Sequence, residues 1–268
     1  MKRKNWFSQK LKKHPFLIGS ILILSIWGYS YKGQDNDNVD EIVEEVASRL
    51  ANYPQLKNWQ VSVLSTAVRM DKNWKPQKET IVRKTVTVRD KDRTEDIISV
   101  IEIEKDKTKD VTEKFRKDAL KEKRKRDKRR EEGKPEDEGG RRELSMDDMF
   151  PFGVTERKNY IFTRREDSEL EGIPVFVLET KAKMRTDEYY DGKYYIDKMD
   201  YTILKVELKP AKNPSVLKLF EMEAYFKVIP GGYFVLEKTK IRIHVGLVIK
   251  NIRMDAEEVY SDYKILSD

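Results

Sequence analysis

The sequence predicts a mainly β (α+β) fold, in which a curved antiparallel sheet forms an open half-barrel covered by one or more helices. Many stretches alternate apolar and polar residues with period two, which gives each predicted strand one dry and one wet face. These stretches follow one another through tight turns such as 197–200, as in antiparallel sheets rather than parallel ones. One early stretch, 39–53, instead repeats its apolar residues every three or four positions, which predicts an amphipathic helix that needs a sheet to cover it.

The N-terminal 33 residues contain the excess positive charge of the chain. The net charge is +7, from 55 basic and 48 acidic residues. Residues 1–33 hold Lys2, Arg3, Lys4, Lys10, Lys12, Lys13 and Lys32 and no acid, so residues 34–268 have 48 basic and 48 acidic residues. A formally neutral remainder lacks the basic footprint of a nucleic-acid-binding domain, so no nucleic acid partner is expected.

An apolar stretch at 16–27 follows this basic region, and the small residues Gly28 and Ser30 come directly after it. Two interpretations stay open: residues 1–33 are a cleaved signal peptide, or residues 15–31 are an uncleaved membrane anchor. Under both, residues 34–268 form one periplasmic or otherwise extracytoplasmic domain, tethered to the inner membrane in the second case.

The elements of this domain follow in order. Asp37 and Asn38 are N-cap residues for the helix at 39–53, and Pro54 ends it. Alternation predicts strands at 59–70, 80–89, 96–104, 159–164, 173–181, 188–197, 201–208, 216–229, 233–248 and 259–266. A short apolar element at 144–152, which ends in a Phe-Pro-Phe sequence, predicts a helical turn that helps the first helix to cover the concave side.

Residues 105–143 interrupt the alternation with a strongly charged insertion. The stretch 121–130 is mostly basic, and the stretch 131–140 is acidic with glycine and proline. This composition predicts a disordered insertion or a solvated helix. The alternative is a basic arm that touches anionic lipid headgroups or an acidic partner.

The clearest alternation lies in the late strands, and their apolar faces give the candidate site. The predicted lipid-binding wall consists of Leu204, Val206, Phe220, Met222, Phe226, Ile241, Ile243 and Val245. These side chains either fill a core against the helix at 39–53 or leave part of the concave face open for acyl chains. Methionine adapts to irregular ligands and phenylalanine supplies flat apolar walls, so the second alternative is a lipid site.

The sequence contains few of the residues and motifs that enzymes use for catalysis. It has no cysteine and two histidines, of which His14 lies in the N-terminal segment and His244 on the polar face of a strand. It contains no P-loop, no dinucleotide-binding glycine motif and no nucleophile elbow. We therefore expect a binding protein and not an enzyme, with no catalytic residues, no metal and no cofactor.

The order of elements resembles the periplasmic lipoprotein-sorting carriers, the LolA/LolB-like family of outer-membrane lipoprotein sorting. The resemblance covers 39–104 and 144–268. It rests on the leading helix, the paired strands, the sequence Gly-Ile-Pro-Val-Phe-Val-Leu-Glu at 172–179, and Tyr-Ile-Asp at 195–197 followed by Ile-Leu-Lys-Val-Glu at 203–207. It implies a monomeric periplasmic half-barrel that binds lipid or an acylated lipoprotein and meets an inner-membrane protein. A membrane-tethered envelope sensor or scaffold on the same fold is the alternative.

Overall fold

The computed structural model of the 268-residue chain describes residues 38–90, 92–131, 149–246 and 251–267. The expectations for the N-terminal segment, for 132–148 and for positions 247 and 248 at the end of the predicted strand 233–248 lie outside these residues. Among the described helices, none has the length and apolar character needed to cross a membrane.

The predicted fold class is confirmed, because the described residues form a 12-stranded antiparallel sheet and two α-helices. The helices are α1 (Val39–Asn52) and α2 (Thr112–Glu131). The strands are β1 (Trp59–Met70), β2 (Pro76–Arg89), β3 (Asp92–Glu104), β4 (Lys107–Asp110), β5 (Tyr160–Arg164), β6 (Ser168–Leu170), β7 (Ile173–Ala182), β8 (Tyr190–Asp197), β9 (Ile203–Pro210), β10 (Leu217–Ile229), β11 (Tyr233–Gly246) and β12 (Asn251–Ile265).

The strand order is β4-β3-β2-β1-β12-β11-β10-β9-β8-β7-β5, and β6 pairs with β7 beside β5. The sheet is therefore open, with β4 at one edge and β5 at the other.

Short-range hydrogen bonds stabilise the turn between β8 and β9. In the turn after β8, Asp197 and Asp200 each accept a hydrogen bond from the backbone N–H two residues ahead, at 2.7 and 2.9 Å, as short acidic side chains do in turns.

Helix α1 forms because its apolar residues recur on one face, and the sheet buries that face. Ile42, Val43 and Val46 are almost completely buried, and acidic residues occupy the first turn, where they favour the helix dipole. At the other end of α1, Arg49 forms an ion pair with Asp200 at 2.9 Å. The helix is thus fixed to the turn between β8 and β9.

The apolar element after the insertion joins α1 on the same face of the sheet, as predicted for the part of 144–152 that the structure describes. Met149 and Phe152 are buried in the core together with α1, and Phe150 packs against them. The buried hydroxyl of Tyr194 on β8 donates a 2.8 Å hydrogen bond to the carbonyl of Met149. Burial raises the pKa of this tyrosine, so it stays a neutral donor.

The described part of the charged insertion takes the helical alternative that the sequence left open. Residues 107–110 form β4 and residues 112–131 form α2, so this part of 105–143 is not disordered. Lysine, arginine, glutamate, alanine and leucine are strong helix formers even without an apolar face, which explains the helix. Its first turn is fixed to β3: Arg116 donates hydrogen bonds to the carbonyl of Ile97 at 2.9 and 2.7 Å.

Candidate functional site

Strand register assigns each side chain of the sheet to one of two faces, because directly paired residues of antiparallel strands point the same way. We call the face that packs against α1 the inner face and the opposite one the outer face. The row Met222, Ile241, Ala256, Ala67 and Thr80 crosses β10, β11, β12, β1 and β2 on the inner face.

Three of the predicted wall residues lie in a filled core. Val206, Met222 and Phe226 are buried to within 5% of complete burial and pack in one cluster with α1 and the 149–152 element. The ring of Phe226 stacks on Phe234 at 5.0 Å between centroids, and Phe150 lies 5.2 Å from Phe226. This part of the inner face is occupied by the chain itself.

Leu204 departs from the predicted alternation. Tyr195 of β8 pairs with Lys205, but the next residue, Ile196, pairs with Ile203, so Leu204 is the extra residue of a β-bulge. Ile203 takes the inner position and is buried in the core, whereas Leu204 is half-buried and is not part of that cluster. A bulge reverses the faces of the residues on one side of it, which the sequence pattern alone does not reveal.

The other four predicted wall residues lie side by side at the border of the filled core, and two of them, Phe220 and Ile241, pack against it. Phe220, Ile241, Ile243 and Val245 are all half-buried. Phe220 pairs with Ile243, so both point to the inner face. The structure therefore brings these four together as a half-buried continuation of the core that contains the other three.

Register adds three residues to this group that the sequence analysis missed. We call the whole group the inner strip; its members are Leu217, Phe220, Ile241, Ile243, Val245, Ile252 and Met254, all half-buried. Met254 pairs with Ile243, and Ile252 pairs with Val245. The signal was present in the sequence, since Ile252 and Met254 alternate with charged residues, but the predicted last strand began only at 259.

Cationic groups border the inner strip on its β1 and β2 side. Arg69 of β1 pairs with Met254 of β12, so both residues lie on the inner face of the sheet. The Arg69 side chain is exposed to solvent. Further across the same face, Lys78 and Glu102 form an ion pair at 2.7 Å. An apolar strip that ends at a cation matches the chemistry of an amphiphile with an acyl chain and an anionic head.

The outer face has the opposite character. Glu179, Lys193, Glu207, Glu223 and Lys240 occupy neighbouring positions across β7 to β11, so charges largely alternate along the row. A groove of about 1080 Å³ lies between this row and the 164–168 loop. Its lining is mainly charged, so the groove does not suit an acyl chain.

On the outer face, the ammonium group of Lys205 is surrounded by two carboxylates and two aromatic rings. Its ammonium lies 2.8 Å from Glu207 and 3.3 Å from Glu223, between the rings of Tyr195 and Tyr225 at 5.3 Å each. Burial by itself would lower the pKa of Lys205, but the hydrogen bond and the charge of Glu207, with the charge of Glu223, outweigh it and raise that pKa. The lysine is therefore a fixed structural cation rather than a reactive amine.

Within the described ranges, no group of three or more histidine, cysteine, aspartate or glutamate side chains is arranged to hold a metal ion. The fold and the strip together define a mainly β protein with a partly covered apolar inner face and a charged outer face.

Comparison with solved structures finds proteins of the class that the sequence resembles. The chain is similar to an outer membrane lipoprotein-sorting protein domain from Vibrio parahaemolyticus, with 14% identity, a TM-score of 0.39, and 85% of this chain and 93% of that one covered. It is also similar to a LolA superfamily protein from Nitrosomonas europaea, with 12% identity, a TM-score of 0.36, and 87% and 96% covered. A DUF1329 family protein from Desulfovibrio piger matches with 12% identity, a TM-score of 0.39, and 87% and 96% covered.

No family model matches this chain, and no curated protein matches it either.

Proposed function

We propose that this protein is an exported binding protein, not an enzyme, and that it holds an acyl chain of a lipid or of a lipoprotein on the inner strip. The observation that carries the proposal is the strip itself: seven apolar side chains on one face, continuous with the core yet still half-exposed. A soluble domain that exposes such a contiguous apolar surface normally uses it for binding.

The binding free energy that the inner strip offers an acyl chain is moderate. A fully buried methylene contributes about 0.8 kcal/mol, so about six methylenes that are half-covered on an open strip contribute roughly 2–3 kcal/mol. Arg69 at the border of the strip adds an attraction for a carboxylate or phosphate head. These values describe a reversible carrier or sensor site rather than a permanent one.

A direct test uses a fluorescent fatty acid as the probe and two matched substitutions. Ile243→Glu places a carboxylate in the strip. Ile81→Glu makes the same change at a half-buried isoleucine of β2 that lies on the outer face, next to Thr80 of the inner row. We expect Ile243→Glu to weaken probe binding by about tenfold or more, since 1.4 kcal/mol corresponds to a factor of ten. Ile81→Glu should leave it within about twofold.

Circular dichroism and a urea midpoint establish that both variants are folded. Equal losses of affinity in the two folded variants, or no loss in either, would exclude the inner strip as the acyl site. Arg69→Gln adds a second measurement: it should weaken binding of an acyl carboxylate and leave binding of a neutral acyl ester unchanged.

One structural observation favours the tethered sensor or scaffold as a second candidate. The core under α1 is filled, so the described residues offer an acyl chain an open strip rather than a closed chamber in which to travel. A protein that stays at the membrane needs no closed chamber. Fractionation of cells decides between the two: a carrier is released from the membrane with its N-terminal segment removed, and a tethered protein remains in the membrane fraction at full length.

A further inference from the structure

One sector of helix α2 contains only basic residues. The 20 residues of the helix include 11 basic and 5 acidic ones, a net charge of +6 in a region, 34–268, whose total is zero. At 3.6 residues per turn, six of the basic residues fall within one sector of about 100°. We call them the basic stripe; they are Lys114, Lys117, Lys121, Arg124, Lys125 and Lys128.

The acidic residues of the helix occupy positions outside that sector. Every residue of the stripe is exposed. The helix is held from another side: Val111 and Thr112 are buried against β3, and Arg116 reaches the carbonyls at the edge of that strand. The stripe therefore starts at an anchored turn, where Lys114 lies near Ile98 and Ser99 of β3, and continues along an exposed side of the helix.

We propose that the basic stripe docks the domain on an anionic lipid membrane surface. Five of its six residues are lysine, which acts as a strongly hydrated point charge, whereas arginine is the residue that recognises single phosphates or carboxylates in forked geometry. The stripe includes no aromatic residue on which a nucleic acid base would stack. A straight row of exposed lysines suits a diffuse sheet of negative headgroups better than a shaped acidic partner. One of them, Lys125, also forms an ion pair with Glu122 at 2.6 Å.

This docking is independent of the acyl site. The stripe lies on α2, next to the β3 side of the sheet, while the inner strip lies on β10, β11 and β12. An exported domain that binds lipid would gain from being held against the bilayer, but the stripe would act in the same way with an empty strip.

The test exploits the absence of cysteine from the chain. A single cysteine that replaces Leu120, an exposed residue of α2, carries an environment-sensitive fluorophore in the full-length protein. The labelled protein is reconstituted in vesicles of phosphatidylcholine, with or without roughly 30% phosphatidylglycerol, with a quencher attached to the headgroups. We expect quenching only in the anionic vesicles, and we expect it to disappear as salt rises from about 0.1 M to about 1 M.

Three variants distinguish docking by the basic stripe from a nonspecific effect of the protein's positive charge. Lys114, Lys117, Lys121 and Lys125 are replaced together by glutamine, which should lower the equilibrium constant for docking more than a hundredfold, because each lysine near such a surface contributes roughly fivefold. Replacement of the same four by arginine keeps the charge and should keep docking. Replacement of four scattered exposed lysines by glutamine, at positions 57, 72, 209 and 212, removes the same charge and should leave docking intact.

Equal quenching in neutral and anionic vesicles would overturn the proposal, as would a scattered variant that loses as much docking as the stripe variant. Displacement of the helix from anionic vesicles by low concentrations of polyglutamate would also overturn it, and would identify an acidic polypeptide as the preferred partner.

Discussion

Replacing Phe226 by alanine tests whether the inner face under α1 is a core or a ligand cavity. Phe226 is 3% exposed, and its ring contacts Phe150 and Phe234. Tyr53, at the end of α1, stacks on Phe234 at 4.9 Å and extends the same cluster. The substitution removes one ring from a group of aromatic side chains that joins the helix, the 149–152 element and two strands.

Truncation of a buried phenylalanine costs about 3–5 kcal/mol, and the lost ring contacts belong to the upper half of that range. We expect about 4 kcal/mol, a large part of the roughly 5–15 kcal/mol by which domains are stable. At about 2–4 °C per kcal/mol for a domain of this size, the melting temperature should fall by roughly 8–16 °C. Equilibrium unfolding in urea, followed by circular dichroism, measures the free energy directly.

The matched control is Ile243→Ala in the inner strip. Ile243 is half-buried, so its truncation should cost only about 1–2 kcal/mol and should weaken fatty-acid binding. If Phe226→Ala instead costs less than about 1.5 kcal/mol and changes probe affinity, then α1 and the 149–152 element do not seal this face, and Phe226 is a ligand wall after all.

Three further predictions concern stability. The substitution G192A should cost about 1–3 kcal/mol in a urea titration, because an added methyl group at Gly192 would lie 2.7 Å from a tyrosine ring atom; a neutral result would mean that the ring moves aside freely. The substitution T112V should cost about 1–3 kcal/mol and T112S much less, because the Thr112 hydroxyl accepts the buried N–H of Val100 at 2.8 Å; equal costs would refute a role for that hydrogen bond. Burial by itself raises the pKa of Glu95, but the hydrogen bonds and charges of Lys84 and Arg93 together outweigh it and hold that pKa below the usual 4.5. Its contribution is therefore complete above pH 4.5 and is lost as pH falls through the lowered value, so E95Q should flatten the acid limb of a stability–pH curve, and an unchanged limb would contradict the pairing.

The parts of the fold that were predictable are those set by local chemistry. The period of α1 and the proline after it fixed the helix, and the aspartates of the 197–200 turn fixed a hairpin. Alternation along β10 and β11 placed Phe220, Ile241 and Ile243 on one face. These signals depend on neighbours in the sequence, so one sequence suffices to find them.

The parts that were not predictable depend on partners far away in the chain. The bulge at Leu204 exists only in relation to β8, and the burial of Met222 and Phe226 depends on α1 and the 149–152 element lying on that part of the sheet. All the candidate residues except Leu204 lie on the inner face, but the sequence gives no measure of how far a helix covers that face. Helix α2 was ambiguous because its composition favours both a helix and a solvated coil.

The position of β12 has a consequence for how the chain is made. β12 lies between β1 and β11, so the strands from the two ends of the domain meet only through it. A nascent chain that has not yet released residues 251–265 holds two separate half-sheets, and β1 and β11 each present a long unpaired edge. Such edges invite pairing with other chains, and their closure waits for the most distant contact of the domain. Completion of the sheet thus depends on its last strand, and the two half-sheets are most exposed to wrong pairing just before β12 is made.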